Sequence, residues 1–288
     1  MFALPDSTGL CRRKTRPIIT RMNPPISIQA ATVILAREGS GGVPEYLLVQ
    51  RGENLAFAGG ALVFPGGRVD RIDGGIARNP NLALGFDALD DLDAAARVTC
   101  AREALEETGV LLTEGPHPDP EALAALRAAM ASGPDEQEAS SFAGLLGRLG
   151  HRVDAARFLP FARWEPPAAA AIARRFDTRF YLADAGRSAS AAISPDGFEA
   201  KALRWTTAAQ ALADYDAGRA AMVFPTWCNM HRLAQYASLP ALFDRVAALP
   251  APYVQPAFVT IDGEPWLTIP EGIDYPVTRD RVAALRRE

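Results

Sequence analysis

The sequence predicts an α+β domain, in which helices pack against a β-sheet. Residues 26–35 alternate between apolar and small or polar side chains, and residues 46–51 form a second strand-like run after a glycine-rich loop. Residues 91–108 instead place apolar side chains every three to four positions, which is the period of an α-helix. With 288 residues and 49% apolar content the chain can bury a sizeable core, and we expect a single domain over residues 27–288.

The composition limits the kinds of partner that the protein can have. Its net charge is −4 and no basic block lies outside residues 1–26, so a nucleic-acid-binding surface is not predicted. Residues 1–26 contain several prolines and no apolar run long enough for a signal peptide or membrane span, and we expect a flexible leader. The three cysteines form no even framework, which favours a cytoplasmic protein, with organelle targeting left open.

A glycine turn follows the second predicted strand. Arg51 ends that strand and could reach a phosphate from there, although a solvated strand end is an equally good interpretation. The turn lies within residues 64–70 and contains Gly66 and Gly67, which would let the backbone approach an ion or a phosphate closely. The Gly66 carbonyl is therefore a candidate metal ligand.

The helix predicted over residues 91–108 has recognisable ends and two contrasting faces. Asp90, Asp91 and Asp93 supply N-cap and first-turn chemistry, and Gly109 stands where a left-handed C-terminal residue is expected. One face would pack on the core. Its apolar residues are Ala94, Val98, Ala101 and Leu105.

The opposite face of this helix is acidic. At about 100° per residue, Glu103, Glu106 and Glu107 project from one side, within reach of one another. A solvated, salt-bridged surface helix is the plainer interpretation of such a pattern. Clustered oxygen ligands also suit Mg²⁺ or Mn²⁺, and the nearby glycine turn favours this second interpretation.

The turn and the helix together resemble the Nudix box. In words, that motif is Gly, five residues, Glu, seven residues, then Arg-Glu-apolar-x-Glu-Glu-x-Gly-apolar. Residues 102–110 fit the second half, and counting from Gly67 places Asp73 where the family has Glu. Residues 74–101 stand where the box has only seven residues. This interruption resembles the peroxisomal coenzyme A diphosphatase branch, Nudix-type motif nineteen.

Other stretches of the chain are similar to the same branch, so that the resemblance covers most of residues 28–276. They are residues 46–51, 60–67, 174–181 and 203–205. The resemblance implies a Nudix fold, an α/β/α sandwich with a mixed sheet, a catalytic box helix and helical insertions.

The resemblance also implies a role for each candidate residue. The expected metal ligands, for Mg²⁺ or Mn²⁺, are Gly66, Glu103, Glu106 and Glu107. Arg102 would orient the box carboxylates and pair with Asp73. The candidates for the general base are Glu106 and Glu199, where Glu199 precedes a later strand. The expected substrate-binding residues are Arg51 and Arg68.

The remaining segments are assigned by periodicity and turn signals. Insertions are expected at about residues 74–94 and 113–153; residues 74–90 read mostly as a loop, and a helical C-terminal extension closes the chain. The predicted helices are residues 121–131, 136–149, 207–217, 229–238 and 240–249. The predicted later strands are residues 158–161, 179–183 and 200–206.

These expectations define a function and its alternatives. The branch resemblance implies metal-dependent hydrolysis of a diphosphate linkage in coenzyme A or acyl-coenzyme A. ADP-ribose, NADH, nucleotide sugars and a capped RNA end stay open as substrates, because a fold does not fix a substrate. An alternative from another class is a catalytically silent Nudix-like module that binds a nucleotide. The partner is expected to be a small nucleotide, and a homodimer is left open.

Overall fold

The computed structural model describes residues 27–52, 59–116, 118–132, 141–168, 174–186, 193–195 and 200–282. Its strands are β1 (Ser27–Glu38), β2 (Pro44–Arg51), β3 (Leu62–Val63), β4 (Gly66–Arg68), β5 (Ala83–Leu84), β6 (Val153–Asp154), β7 (Leu159–Trp164), β8 (Arg175–Asp184), β9 (Ala200–Thr207), β10 (Tyr253–Val254), β11 (Ala257–Ile261), β12 (Glu264–Thr268) and β13 (Arg279–Arg281). Its helices are α1 (Arg71–Ala77), α2 (Asp91–Glu103), α3 (Pro120–Ser132), α4 (Phe142–Leu149), α5 (Ala208–Asp216), α6 (Phe224–Leu233) and α7 (Leu239–Ala248).

The main sheet is mixed and is built around β1. Its strand order is β10-β7-β8-β1-β2-β3, with β4 also pairing with β1 and β9 with β2. β1 runs parallel to β8 and antiparallel to β2 and β4. Strands β11 to β13 form a separate small sheet, and β5 pairs with β6. The predicted α+β class is confirmed.

Alternation along β1 sends its side chains into two cores, one on each face of the sheet. Val33 and Leu35 belong to the core that α2 covers, whereas Ile34 and Ala36 belong to the core that α5, α6 and α7 cover. Helices therefore lie on both faces of the sheet, as in the sandwich that the resemblance implies.

The predicted loop over residues 74–90 is wrong in part. Residues Arg71–Ala77 form α1, and Ile76 and Ala77 are buried in the core on the α2 side. The backbone N–H of Asp70 donates to the Asp73 carboxylate at 3.0 Å, which starts the helix. This helix could not be predicted from helix propensity, because the adjacent residues Gly74 and Gly75 both disfavour a helix.

Two other helix boundaries differ from the prediction. Helix α6 occupies Phe224–Leu233 instead of residues 229–238, because Pro225 fits the first turn and apolar residues from Phe224 onwards are buried. Helix α4 occupies Phe142–Leu149 and is capped by the Ser141 side chain, which accepts from the Gly144 N–H at 3.2 Å. The predicted start of that helix, at residues 136–140, lies outside the described residues.

The other predicted helices and strands are present, with ends that shift by a few residues. The predicted helical C-terminal extension is helical only as far as α7, because β10 to β13 follow it. Helix α5 is capped by Thr207, whose side chain accepts from the N–H of Gln210. Within the described residues, no helix is long and apolar enough to span a bilayer.

Candidate metal site

The acidic helix has the predicted limits. α2 starts after Asp90, whose side chain accepts from the N–H groups of Leu92 and Asp93. Its continuation Ala104–Thr108 is a π-helical turn, and Gly109 ends it with a φ of 78°. The three glutamates therefore lie at the point where the helix widens.

Arg102 connects the carboxylates of the site. Its Nε and Nη2 donate to the two Asp73 oxygens at 2.9 and 3.0 Å, and its Nη1 donates to Glu103 at 2.7 Å and Glu106 at 2.9 Å. The Thr99 hydroxyl also donates to Asp73, at 2.8 Å. The expected Arg102–Asp73 pair is thus present, because α1 brings the short aspartate against α2.

The glycine turn touches two of the glutamates. The N–H of Gly66 donates to Glu107 Oε2 at 3.1 Å. A Cβ added to Gly67 would lie only 2.2 Å from Glu103 Oε1, and one added to Gly66 only 2.5 Å from the Ala31 carbonyl oxygen. Only glycine fits at Gly66, where the clash is with backbone, whereas a side chain at Gly67 would displace the end of Glu103. The absence of side chains thus lets the acids approach the turn closely.

The ladder between β4 and β1 sets the direction of the Gly66 carbonyl. Val33 donates its N–H to the Pro65 carbonyl, and Val69 donates to the Gln29 carbonyl, both at 2.9 Å. Hydrogen-bonded pairs alternate along an antiparallel ladder, so Gly66 turns both its N–H and its C=O away from β1. Since the Gly66 N–H meets Glu107, its carbonyl oxygen lies on the edge where the carboxylates gather.

The site carries more negative than positive charge. Burial raises the pKa of Glu103 to about 7, and the nearby carboxylates of Glu106 and Asp73 add to that rise while Arg102 opposes it. Burial raises the pKa of Glu106 as well, again opposed by Arg102. Carboxylates crowded in this way, beside a backbone carbonyl, are a donor set that suits a hard divalent cation.

The described residues contain no group of three acidic, His or Cys side chains already gathered as metal ligands. Arg102 Nη1 lies between Glu103 and Glu106, which explains this arrangement. Glu103 already lies against Gly67, and the same Arg102 nitrogen holds Glu106 beside it.

A solved structure is similar to this chain over most of its length. A crystal structure of a NUDIX hydrolase from Alicyclobacillus acidocaldarius has a TM-score of 0.63 and 26% sequence identity, covering 78% of this chain and 99% of that one. In sequence and in fold, the chain is similar to Nudix hydrolases. No protein-family model matches the chain.

Two curated relatives of this chain share one name. The acyl-coenzyme A diphosphatase NUDT19 of Homo sapiens is 27% identical over 231 residues, which make up 67% of this chain. Its counterpart from Xenopus laevis is 24% identical over 238 residues, or 68% of this chain. The chain spans about 61% of the length of each of these relatives.

The two predicted substrate-binding arginines have different surroundings. Arg68 is one position out of phase with Gly67, and its exposed side chain pairs with Asp70 at 2.9 Å, while its carbonyl accepts from Arg102 at 3.1 Å. Arg51 ends β2, and its buried Nε has no hydrogen-bond partner within the described part of the chain. Glu199 lies outside the described residues.

One residue that contacts the Nudix helix escaped the sequence reading. Arg127 of α3 donates from Nε and Nη2 to the Glu106 carbonyl at 3.1 and 2.7 Å, and from Nη1 to Ser194 at 2.7 Å. The helical insertion thus holds the π-helical turn from outside. The available signal was a single basic residue on an alanine-rich helix, which is too common a pattern to single out.

Proposed function

We propose that this Nudix protein hydrolyses a diphosphate linkage in a nucleoside diphosphate derivative, with bound Mg²⁺ or Mn²⁺. The observation that carries the proposal is the contact of Glu107 and Glu103 with Gly66 and Gly67, far apart in sequence and adjacent in space. Carboxylates at a backbone turn that admits no side chain fit a cation held against a phosphate.

The residues that would hold the ion are the Gly66 carbonyl and the carboxylates of Glu103, Glu106 and Glu107. A bound divalent cation neutralises phosphate oxygens and lowers the pKa of a coordinated water. Arg102, fixed by the buried Asp73, keeps Glu103 and Glu106 at the mouth of the site. This support is what lets the box carboxylates act as a preorganised set.

The proton of the attacking water needs an acceptor in the chain. Glu106 is one candidate, since its side chain is 35% exposed and burial raises the pKa of its carboxyl, which makes it a stronger base than an ordinary glutamate. Glu199 is the other candidate. Arg51 and Arg68 are proposed to bind the phosphate oxygens of the substrate.

Coenzyme A or an acyl-coenzyme A is the proposed substrate. The support is the name shared by the two curated relatives, at 27% and 24% identity. Cleavage of the diphosphate of coenzyme A would yield phosphopantetheine and 3′,5′-ADP. Cleavage of an acyl-coenzyme A would yield the acylated phosphopantetheine and 3′,5′-ADP. ADP-ribose, NADH and nucleotide sugars are the alternatives, because they contain the same linkage.

The decisive experiment measures hydrolysis of coenzyme A, ADP-ribose, NADH and a nucleotide sugar by the purified full chain, with and without Mg²⁺. We expect Mg²⁺-dependent cleavage, fastest on coenzyme A. Glu106→Gln and Glu107→Gln should each lower the rate by more than the roughly 10–100-fold that loss of an outer-shell partner typically causes.

The matched control is Glu121→Gln, which removes an exposed carboxylate at the start of α3. Its rate should equal that of the wild type. Cleavage that persists unchanged in Glu107→Gln would remove the box from the mechanism, and nucleotide binding without any turnover would indicate a silent binding module instead.

A further inference from the structure

A row of paired residues crosses the main sheet from the metal site. Gly67 on β4 pairs with Ala31 on β1, which pairs with Arg179 on β8, then with Arg163 on β7 and Tyr253 on β10. Residues paired in this way point to the same face of a sheet. Since a Cβ on Gly67 would touch Glu103, the row lies on the face that carries the box helix.

Arg179 lies near the proposed metal site but is not part of it. Neighbouring strands are about 4.8 Å apart, so the Cα of Arg179 lies about 10 Å from that of Gly67. The outermost member, Tyr253, is 48% exposed, and its ring centre is 5.4 Å from the guanidinium carbon of Arg163. Where α2 does not cover it, the α2-side face of the main sheet therefore carries arginine and aromatic side chains.

Hydrogen bonds hold Arg179 in place from one side. Its Nη1 donates to Gln29 Oε1 at 3.0 Å, and Gln29 Nε2 donates to Asp177 Oδ2 at 3.1 Å. Arg163 donates to both oxygens of Asp177, at 2.8 and 2.7 Å. Asp177 is 2% exposed, so the whole chain of contacts is anchored in the sheet.

The charges of this network do not cancel at Arg179. Burial would raise the pKa of Asp177, but hydrogen bonds from Arg163 and Gln29 lower it below its ordinary value, and the carboxylate is ionised. Arg163 pairs with that carboxylate and also with Glu165 at 3.3 Å, while the charge of Arg179 acts on Asp177 without a direct hydrogen bond. Arg179 donates to a neutral amide, so its fixed guanidinium is not held in a direct ion pair within the described residues.

We propose that Arg179 is a specificity-determining residue that binds a phosphate of the substrate other than the two that are cleaved. A guanidinium matches a phosphate in shape and charge. The substrate class is therefore a nucleoside diphosphate derivative with a further phosphomonoester, such as the ribose phosphate of coenzyme A. The inference rests on the proposed function only for the cleavage step, since recognition of the extra phosphate can be measured by binding alone.

The test is calorimetric titration of the full chain with 3′,5′-ADP and with 5′-AMP, which differ by that one phosphate. We expect the wild type to bind 3′,5′-ADP about tenfold more tightly or better, as one charge-assisted contact allows. Arg179→Gln should bind the two nucleotides equally, and Arg179→Lys should keep part of the preference. Arg148→Gln, which changes an exposed arginine of α4, should behave as the wild type.

Kinetics give a second readout with the full substrates. In Arg179→Gln, kcat/KM for coenzyme A should fall about tenfold, with little change for dephospho-coenzyme A. Equal losses on both substrates, equal affinities of the wild type for the two nucleotides, or a preference that survives in Arg179→Gln would each overturn the proposal. A wild type that prefers 3′,5′-ADP but cleaves nothing would overturn the proposed hydrolysis and leave the phosphate site standing.

Discussion

Arg102 and Asp73 form a two-point ion pair, with Nε to Oδ1 at 2.9 Å and Nη2 to Oδ2 at 3.0 Å, in which Asp73 has no exposed surface. The pair joins α1, which follows the glycine turn, to α2, which carries the glutamates. Arg102 then holds Glu103 and Glu106 with its remaining nitrogen. Loss of Asp73 should therefore affect both the fold and the site.

Asp73→Asn should lower the free energy of unfolding by about 1–3 kcal/mol, because Arg102 loses the buried carboxylate that accepts from its Nε and Nη2 and keeps only Glu103 and Glu106 on Nη1. Activity should fall roughly 10–100-fold, as for other partners that orient metal ligands. Urea unfolding and steady-state kinetics measure the two effects. Asp87→Asn, at an exposed position, should change neither. A wild-type unfolding curve for Asp73→Asn would show that the pair is dispensable.

Gly67→Ala should abolish Mg²⁺-dependent hydrolysis, because the new Cβ would lie 2.2 Å from Glu103 Oε1 and push the acid from the turn. Gly75→Ala is the matched control: its Cβ would meet open space on α1, and alanine should stabilise a helix interior by about 0.5–1 kcal/mol. Both are measured by activity and by thermal unfolding. An active Gly67→Ala enzyme would contradict the close approach of acid and turn.

Mg²⁺ should raise the unfolding temperature of the wild type. A ligand that binds only the folded state stabilises it by about 2.7 kcal/mol at a concentration of about 100 times Kd. Glu107→Gln should lose most of this stabilisation, since it removes one proposed ligand, and chelation with EDTA should reverse the shift in the wild type. Scanning calorimetry at several Mg²⁺ concentrations gives the comparison. An unchanged shift in Glu107→Gln would place the ion elsewhere.

Acid should weaken the ion pair between Arg204 of β9 and Asp214 of α5. Hydrogen bonds from Arg219 and Arg204 lower the pKa of Asp214 from its ordinary 3.8 to about 2. A lowered pKa in the folded state means that the ionised carboxylate stabilises the fold above about pH 4, and that this contribution is lost as the pH falls through about 2. Asp214→Asn should therefore show a weaker loss of unfolding free energy between those pH values. An identical acid dependence would exclude Asp214 as a source.

The box helix could be predicted closely from the sequence. Its N-cap at Asp90, its C-terminal Gly109 and its apolar stripe are local signals that agree with one another. The meeting of Glu103 with Gly67 could be expected only through the resemblance, since residues so far apart carry no local sign of contact. The pairing of β4 with β1, which directs the Gly66 carbonyl away from β1, could not be predicted from the sequence.

The failures have physical causes of the same kind. α1 contains two glycines, and its stability comes from packing on α2 and from the Asp73 contacts rather than from propensity. α6 starts earlier than predicted because burial of Phe224 and its neighbours decides its start. The contact of Arg127 with the Glu106 carbonyl depends on how α3 packs against the end of the box helix. The packing of two helices cannot be predicted from a short stretch of residues.

The segment between α1 and α2 is held by backbone hydrogen bonds near its middle as well as by the two helices at its ends. Val153 donates its N–H to the Leu82 carbonyl at 2.8 Å, beside the short pairing of β5 with β6. Lengthening a loop between fixed points changes its closure free energy only slowly, by about 0.6 kcal/mol per doubling. Residues added to this segment would therefore cost little closure free energy, and the contact of Asp73 with Arg102 in space, rather than their separation in sequence, defines the site.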